Sequence, residues 1–444
     1  SYAGRYYTNY SFSTIRNDQT QEREQLEIRL TSQGDGRLQW MVGGYYEEVY
    51  DEWFYRTYMP NHLNTTAWAF AQAYAYYYNY YSGYQNVQYP IPDTLYHYVQ
   101  TMERTNTQIA IFGEMDYDLT DNTTLTLGGR WVENERDEFD QYEWPQGLPA
   151  IGGYGSDGVY GTSGSSSDTL FKVGLKHRIN DDKMVYALFS QGLRPGGSNS
   201  PRAASTGAVP REYDADYMDN YELGIKSQWA DNSLQFNGSI FMMKWSDVQD
   251  SIFGLGQWWI RGTANARTAE SVGFEFNFEW QATENLSLQG NYFQADATFT
   301  KPFYNPETGD LIVRKGQDMA NSPDHAGWIA LNYDIPDVLG GDMWLWYDMS
   351  WGAERWNTTG KARDEFEPGL APAWTWHNFQ AGLNWDNDLS LTFKVNNLFD
   401  QRAPTYISSS IQNYSFEFPN ETRDRFNGNA GRPRTMWLSL RKDF

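Results

Sequence analysis

Apolar and polar residues alternate one for one along most of this chain. Near the C-terminus, Leu389, Leu391, Phe393 and Val395 alternate with Ser390, Thr392, Lys394 and Asn396. Further on, Met436, Leu438 and Leu440 alternate with Thr435, Trp437, Ser439 and Arg441. The same beat appears at Leu26, Ile28 and Leu30 against Glu27, Arg29 and Thr31, and at Phe274, Phe276 and Phe278 against Glu275, Asn277 and Glu279. A period of two predicts β-strands with one apolar and one polar face. Charges at every second position suit a wet surface, because a dry core would have to desolvate them. The sequence closes on Phe444. A last strand with an aromatic terminus suits a barrel whose ring meets the membrane–water interface, although a sandwich edge strand would read the same from that stretch alone.

The spacing of the turns favours the barrel. Short polar turns fall at GDGR (34–37), DN (121–122), NDD (180–182), DN (231–232), TEN (283–285), PDVLGGD (336–342) and DND (386–388). They are rich in Asp, Asn and Gly, which tolerate positive φ in tight hairpins. Longer connections are expected at about 53–104, 139–167, 194–214, 252–265, 301–322, 358–372 and 400–432. Short turns at one end and long loops at the other are the anatomy of an outer-membrane barrel, and a sandwich would not keep that asymmetry through seven hairpins. The expected architecture is an all-β transmembrane antiparallel β-barrel, a single domain over 1–444 with about 16 strands.

Composition sharpens this. No run approaches the ~18 apolar residues of a membrane helix, yet aromatics make up 17% of the chain, with 33 Tyr and 19 Trp. Both facts fit a barrel in which only alternate residues face lipid. The absence of cysteine excludes disulfides and thiolate metal sites. The stretch begins at Ser1 without a charged-then-apolar leader, as expected where a secretion signal has been removed or lies outside it. A net charge of −23 makes nucleic acid an unsuitable partner. Two readings of the acidity stand: a solvated loop surface, or loops that hold divalent cations or admit cationic ligands.

Several segments resemble the TonB-dependent outer-membrane receptors. They are SQGLRPGGSN (190–199), with Arg194, Gly196 and Gly197; YDADYMDNYELGIKSQW (213–229), with Glu222 and Gly224; and NARTAESVGFEFNFEW (265–280), with Gly273 and Glu275. NSPDH (321–325), NNLFDQRAPTY (396–406), with Asn397 and Phe399, and GRPRTMWLSLRKDF (431–444), ending on Phe444, complete the series. Each motif is weak alone, but six in the family's order, each at a strand position set by periodicity, are specific. Lys442 departs from the apolar or aromatic residue such barrels often carry there; a lysine at the interface can snorkel.

The resemblance implies a barrel of about 22 strands, filled by an N-terminal plug through which TonB acts. Neither the plug nor the first strands is recognisable in this sequence, so the chain is expected to be the last sixteen or so strands, incomplete on its N-terminal side. The missing strands are expected to exist, in the same polypeptide or in another envelope chain, because an open edge in lipid leaves backbone groups unpaired. The implied function is capture of a scarce nutrient at the extracellular loops and its energised import across a Gram-negative outer membrane. The cargo is a siderophore, metal chelate, glycan or cofactor, and the surroundings are outer-membrane lipid and lipopolysaccharide. A passive 16-stranded porin is the alternative; it would pair its first strand with its last.

No catalytic constellation stands out, and no bound cofactor is expected. His62, His97, His177, His325 and His377 share no short metal-ligand spacing. GSSSD (164–168) reads as loop composition. The most unusual loop contains AWAFAQAYAYYYNYYSGYQNVQYP, whose Trp68–Tyr81 part is rich enough in Ala and Gln for a short helix. Tyr76, Tyr77, Tyr78 and Tyr80, with Trp144, Trp258, Trp259 and Trp356 in or beside other loops, are candidate ligand-binding residues, because such rings offer flat apolar area at low entropy cost. The same rings could instead pack the loops on one another or form the interfacial girdle.

Overall fold

A computed structural model describes residues 14–58, 96–143, 158–199, 201–204, 209–253, 261–304, 309, 311–357, 370–413 and 422–443. The hairpins follow the turns read from the sequence. The first joins β1 (Thr14–Thr31) to β2 (Leu38–Tyr58), the second β3 (Tyr96–Thr120) to β4 (Thr123–Glu143), and the third β5 (Gly158–Asn180) to β6 (Lys183–Arg194). After a small pair, β7 (Gly197–Ser198) and β8 (Glu212–Tyr213), with the four-residue α1 (Pro201–Ala204) between them, come β9 (Asp216–Trp229) and β10 (Leu234–Phe253). Next are β11 (Arg261–Thr283) and β12 (Leu286–Phe299), the minor strands β13 (Phe303–Tyr304) and β14 (Leu311–Val313), and the hairpin of β15 (His325–Val338) and β16 (Gly341–Gly352). The chain ends with β17 (Arg355–Trp356), β18 (Leu370–Ala371), β19 (Trp374–Trp385), β20 (Leu389–Asn396), β21 (Pro404–Asn413), β22 (Thr422–Ala430) and β23 (Thr435–Lys442).

Fifteen strands form one antiparallel sheet in the order β1-β2-β3-β4-β5-β6-β9-β10-β11-β12-β15-β16-β19-β20-β23. The remaining eight pair off as small hairpins. Among the described residues the large sheet begins at β1 and ends at β23 without joining them, as a self-closing porin would require. Tight turns use the left-handed region: Ala230, Asp231 and Asn232 all have positive φ between β9 and β10, as do Leu339 and Gly340 between β15 and β16.

Register carries one apolar face from strand to strand. Trp40 pairs with Met115, Met115 with Leu127, and Leu125 with Leu175. Leu175 then pairs with Ala187, Ala187 with Leu223, Leu223 with Ile240, and Ile240 with Phe274. At the other end Ala381 pairs with Phe393, and Phe393 with Leu438. Many of these side chains are openly exposed: Leu223 at 55%, Ile240 at 57% and Leu438 at 72%. An exposed apolar band of this extent needs lipid against it. On β3 the outward positions Leu119, Tyr117, Met115, Gly113, Ile111 and Ile109 span the band. At ~3.3 Å per residue and a tilt near 40° that is about 25 Å, the height of a barrel's apolar belt.

Above the belt the strands continue, which corrects the expected loop boundaries. Much of 139–167 is strand, with β4 running to Glu143 and β5 starting at Gly158, so GSSSD lies within β5 and is not a loop. Likewise β2 extends to Tyr58, and β3 begins at Tyr96. The outward residues there become Glu48, Glu52, Glu103, Glu133, Glu135 and Asp137. Water on both faces removes the apolar alternation, so the strand signal fades while the ladder of hydrogen bonds persists.

Among the described residues, a dry core lies toward the long-loop end of the strands. Val248, Ala269, Phe299 and Val313 are buried together, with Trp245, Phe303 and Met319 packed on them. Ala269 lies on the lumen-facing side of β11, opposite Phe274 and Val272, so the connection from β12 to β15 folds inward over the mouth.

Candidate functional site

The lumen face of β1 to β5 forms a polar wall that rises from the belt into the mouth. Low in the wall acid pairs with base: Lys172 Nζ lies 2.8 Å from Glu114. Higher up, Arg130 donates to Gln108 (3.0 Å) and Gln108 donates to Asn134 (2.7 Å). Arg130 also lies over the rings of Tyr45 and Phe112. Register then sets Asn106 opposite Arg136 and Arg104 opposite Glu138. Arg104 Nε reaches Glu138 Oε2 at 2.8 Å, and Arg136 pairs with the same oxygen. One row further out, Gln100 donates to Asp140 at 3.0 Å.

This wall splits its two neighbouring carboxylates. Burial pushes Glu138 up, but the guanidiniums of Arg136 and Arg104 outweigh it and hold the acid below its ordinary value. Asp140 is raised: burial is the largest cause, opposed by the Gln100 hydrogen bond and reinforced by the charge of Glu138.

Facing the wall is the β7–β8 hairpin, whose first strand lies in the RPGGSN segment. It is fixed by side chains that bond to backbone. Asn199 donates to the carbonyls of Pro210 and Thr263 (both 2.7 Å) and accepts from the Thr263 amide at 2.6 Å. Gln249 Nε2 donates to Pro195 O (2.8 Å) and Asp214 O (3.1 Å), and Asn265 Nδ2 donates to Asp214 O (2.8 Å) and Asp247 O (2.9 Å). Beneath them Arg194 grips Asp216, which is 1% exposed. Between hairpin and wall lies a cavity of about 310 Å³, whose lining includes Gln108, Asn134, Arg136, Gly197, Ser198 and Tyr213. A larger hollow of about 840 Å³ lies nearer the short turns, bordered by Lys183, Tyr186, Lys226, Asn237, Glu275 and Tyr292.

The motif residues take structural places. A Cβ at Gly196 would strike the Tyr213 carbonyl. Gly224 leaves room for the ring of Tyr186, whose hydroxyl donates at 2.5 Å to Glu222. Gly273 meets the Gln294 carbonyl and Ala295 in the same way, while Glu275 borders the larger hollow. Asn397, at φ 53°, donates to the carbonyls of Gln401 and Arg432 (2.9 Å each) and so holds the turn after β20. Phe399 stands edge-on to His377.

Of the ligand candidates, only Trp356 is described. It is half-buried in β17, and its carbonyl accepts from the Asn321 amide at 2.6 Å. Tyr76, Tyr77, Tyr78, Tyr80, Trp144, Trp258 and Trp259 lie outside the described residues, as do the Trp68–Tyr81 helix and Phe444. Among the described residues no three His, Asp or Glu side chains converge as a metal site. Sequence reasoning did not single out Arg104, Arg136, Glu138, Asn199, Asp216 or Gln249. Asn199 and Asp216 stand inside quoted motif segments. The wall residues become a group only through cross-strand register, which no local pattern reveals.

Comparison with known proteins places this architecture. The metal-pseudopaline receptor CntO of Pseudomonas aeruginosa is 26% identical over 235 residues, 52% of this chain and 29% of that protein. The ferric yersiniabactin uptake receptor FyuA of Yersinia pestis superposes with a TM-score of 0.69 at 16% identity, covering 97% of this chain and 55% of the receptor. The siderophore receptor PiuA of Acinetobacter baumannii gives 0.65 at 15% identity, covering 96% and 56%. The chain thus spans about half the length of the solved receptors it matches, and at these identities the likeness shows a shared fold. Residues 1–398 match the family described as TonB dependent receptor-like, beta-barrel; the chain belongs to that family and is a Gram-negative outer-membrane β-barrel.

Proposed function

We propose that the chain is the greater part of the barrel of a receptor that binds a scarce nutrient at its extracellular mouth and imports it by TonB coupling. The observation that carries this reading is the continuous polar wall from Lys172 and Glu114 in the belt to Arg104, Arg136 and Glu138 in the mouth. It gives a hydrophilic ligand hydrogen-bonding groups at every level. The relatives are named for metal-pseudopaline, ferric yersiniabactin and siderophore uptake, which supports a metal chelate as cargo. Tyr76, Tyr77, Tyr78, Tyr80, Trp144, Trp258, Trp259 and Trp356 supply the aromatic side of the mouth in this reading. Catalysis has no part in it.

The free edges of β1 and β23 would each expose ladder groups to lipid, at several kcal/mol per unpaired group. The working barrel is therefore completed by further strands between them, and a plug in its lumen carries the TonB signal. The test is uptake of radiolabelled ferric chelates by cells that express the full-length protein or lack it. Uptake should require the protein and cease when a protonophore collapses the proton gradient. Uptake that persists at zero gradient would sink the active-import reading.

A further inference from the structure

We propose that the open edge of β5 between Gly161 and Ser167 docks an extended peptide from outside the cell, bearing lysine or arginine at alternate positions, as one more antiparallel strand. The inference stands apart from the import reading: it concerns a partner of the rim, whatever the barrel carries.

The sheet splits at this point. β5 stays paired with β4 up to Gly158 opposite Tyr142, without a bulge. Its pairing with β6 stops at Lys172 opposite Ser190, and β6 continues with β9 alone to Arg194 opposite Asp216. Side chains clasp the two ends of the gap. Gln191 Oε1 accepts from the Phe171 amide at 3.2 Å, and the Tyr217 hydroxyl donates to Asp168 at 2.5 Å. At the other end Arg211 Nη2 donates to Gly161 O at 3.5 Å. The Phe171 amide and the Gly161 carbonyl show that the odd-numbered residues of β5 aim their backbone groups into the gap, since a paired strand alternates direction residue by residue. Between the clasps, the amides and carbonyls of Ser163, Ser165 and Ser167 have no partner among the described residues, and all three residues are exposed.

Such an edge is a template for strand addition unless lysine, proline, a bulge or a cover blunts it. From Gly158 to Asp168 β5 reads GVYGTSGSSSD, with no Lys, Arg or Pro. Its serines and glycines keep both faces low, and a Cβ on Gly164 would meet nothing within 4 Å. Charge selects the partner. Register sets Glu133, Glu135 and Asp137 on the outward face beside Ser167, Ser165 and Ser163. An added strand lies two strand spacings, about 10 Å, from β4, and a lysine or arginine side chain reaches that row of acids over the small serines. On the lumen side, the cavity of about 310 Å³ between β5 and the β7–β8 hairpin is lined by Thr162, Gly164 and Ser166 and carries four carboxylates against one guanidinium. That side has room for small polar residues. An acidic strand fits neither face.

The test uses the full-length protein in lipid nanodiscs and the capped peptide Thr-Lys-Thr-Lys-Thr-Lys-Thr. Binding is read by fluorescence anisotropy of a labelled copy, and it should protect the amides of Ser163, Ser165 and Ser167 from exchange. Methylating the backbone nitrogens of the lysines keeps every charge, removes the ladder donors, and should weaken binding by roughly tenfold or more, the worth of one or two hydrogen bonds. Ser165→Pro removes a donor on the open side only, so the β4 ladder survives, and should weaken binding by roughly tenfold. Glutamate in place of each lysine should abolish it. The proposal is overturned if wild type does not bind the lysine peptide, or if the methylated peptide, the glutamate peptide or Ser165→Pro gives an unchanged affinity. It also falls if Ser163, Ser165 and Ser167 already exchange slowly without peptide, because another part of the protein then covers the edge. Should Ser165→Pro lose protection in β4 as well, the methylated peptide on wild type decides alone.

Discussion

Arg194 stands directly opposite Asp216 across β6 and β9 and donates to both of its carboxylate oxygens, from Nε at 3.1 and 3.3 Å. The pair is lopsided. The Asp216 side chain is 2% exposed and that of Arg194 is 49% exposed. Asp216 also accepts from the Gln249 amide at 3.0 Å, and Arg194 donates to the Gln249 carbonyl at 2.9 Å. Two residues from the sequence motifs thereby tie β6, β9 and β10 together above the membrane.

That asymmetry sets an order between two substitutions. Arg194→Ala strands a carboxylate where water does not reach and should cost about 3–5 kcal/mol. Asp216→Ala leaves a guanidinium that can turn to solvent, together with one orphaned amide, and should cost about 1–3 kcal/mol. Urea unfolding in lipid vesicles measures both. A larger loss for Asp216→Ala would show that burial of the acid is not what makes the pair sensitive.

The outward and inward faces should answer differently to one new charge. Leu223 is exposed in the apolar belt, paired with Ala187 and Ile240. Arginine there should cost about 2–4 kcal/mol, the range for a charge at the midplane of a barrel's lipid face. Thr392 shares the lumen face with Lys394, and Thr392→Arg should cost less than ~1 kcal/mol. Equal costs by the same unfolding assay would contradict the assignment of faces.

The belt was legible in the sequence because lipid on one face and water on the other impose a period of two. Leu286, Leu288 and Tyr292 against Ser287, Gln289 and Asn291 read directly as a strand, and all seven short turns fall where Asp, Asn and Gly cluster. The upper halves of β2 to β5 were not legible. Glu133, Glu135 and Asp137 face outward and Asn134, Arg136 and Glu138 inward, so polarity no longer alternates. The wall of the cavity was hidden for the same reason. Arg104 and Glu138 are 34 residues apart and meet only through the register of β3 on β4.

Glu138 and Asp140 should give opposite pH signatures. The acid of Glu138 is depressed, so its stabilisation is present above the ordinary carboxylate range and is lost as pH falls through its folded value. Glu138→Gln should therefore destabilise at neutral pH, with the gap to wild type closing toward about pH 4 and below. Asp140 is raised, so it favours the folded state below the ordinary range, and that advantage is lost as pH rises through its folded value. Asp140→Asn keeps an acceptor for Gln100 and should stabilise at neutral pH, with little effect in acid. Unfolding midpoints at the two pH values decide; parallel pH curves for both variants would remove the wall's charge pattern as their cause.

The inward fold of the β12–β15 connection depends on Arg267. Its side chain is 2% exposed, pairs with Asp250, and lies with its guanidinium carbon 5.0 Å from the Phe299 ring centroid and 5.2 Å from that of Phe303. Burial draws its pKa down, only partly offset by Asp250, while the two rings lie within cation–π range of the guanidinium. The amides of Phe299 and Met319 bond to Gln317 and Ala297 (2.9 and 2.8 Å), which zips the returning chain onto the end of β12. Arg267→Ala empties the space between the two rings and removes the counter-charge of Asp250, a loss of about 2–4 kcal/mol. Amide exchange at Phe299 and Met319 should accelerate by roughly thirtyfold or more, while Leu223 and Ile240 in the belt stay protected. The double variant Arg267→Met with Asp250→Asn fills the space without a charge and should restore much of the protection. If Phe299 and Met319 exchange as slowly in Arg267→Ala as in wild type, the connection is held over the mouth by the Val248, Ala269 and Val313 contacts alone, and Arg267 is a passenger in that core.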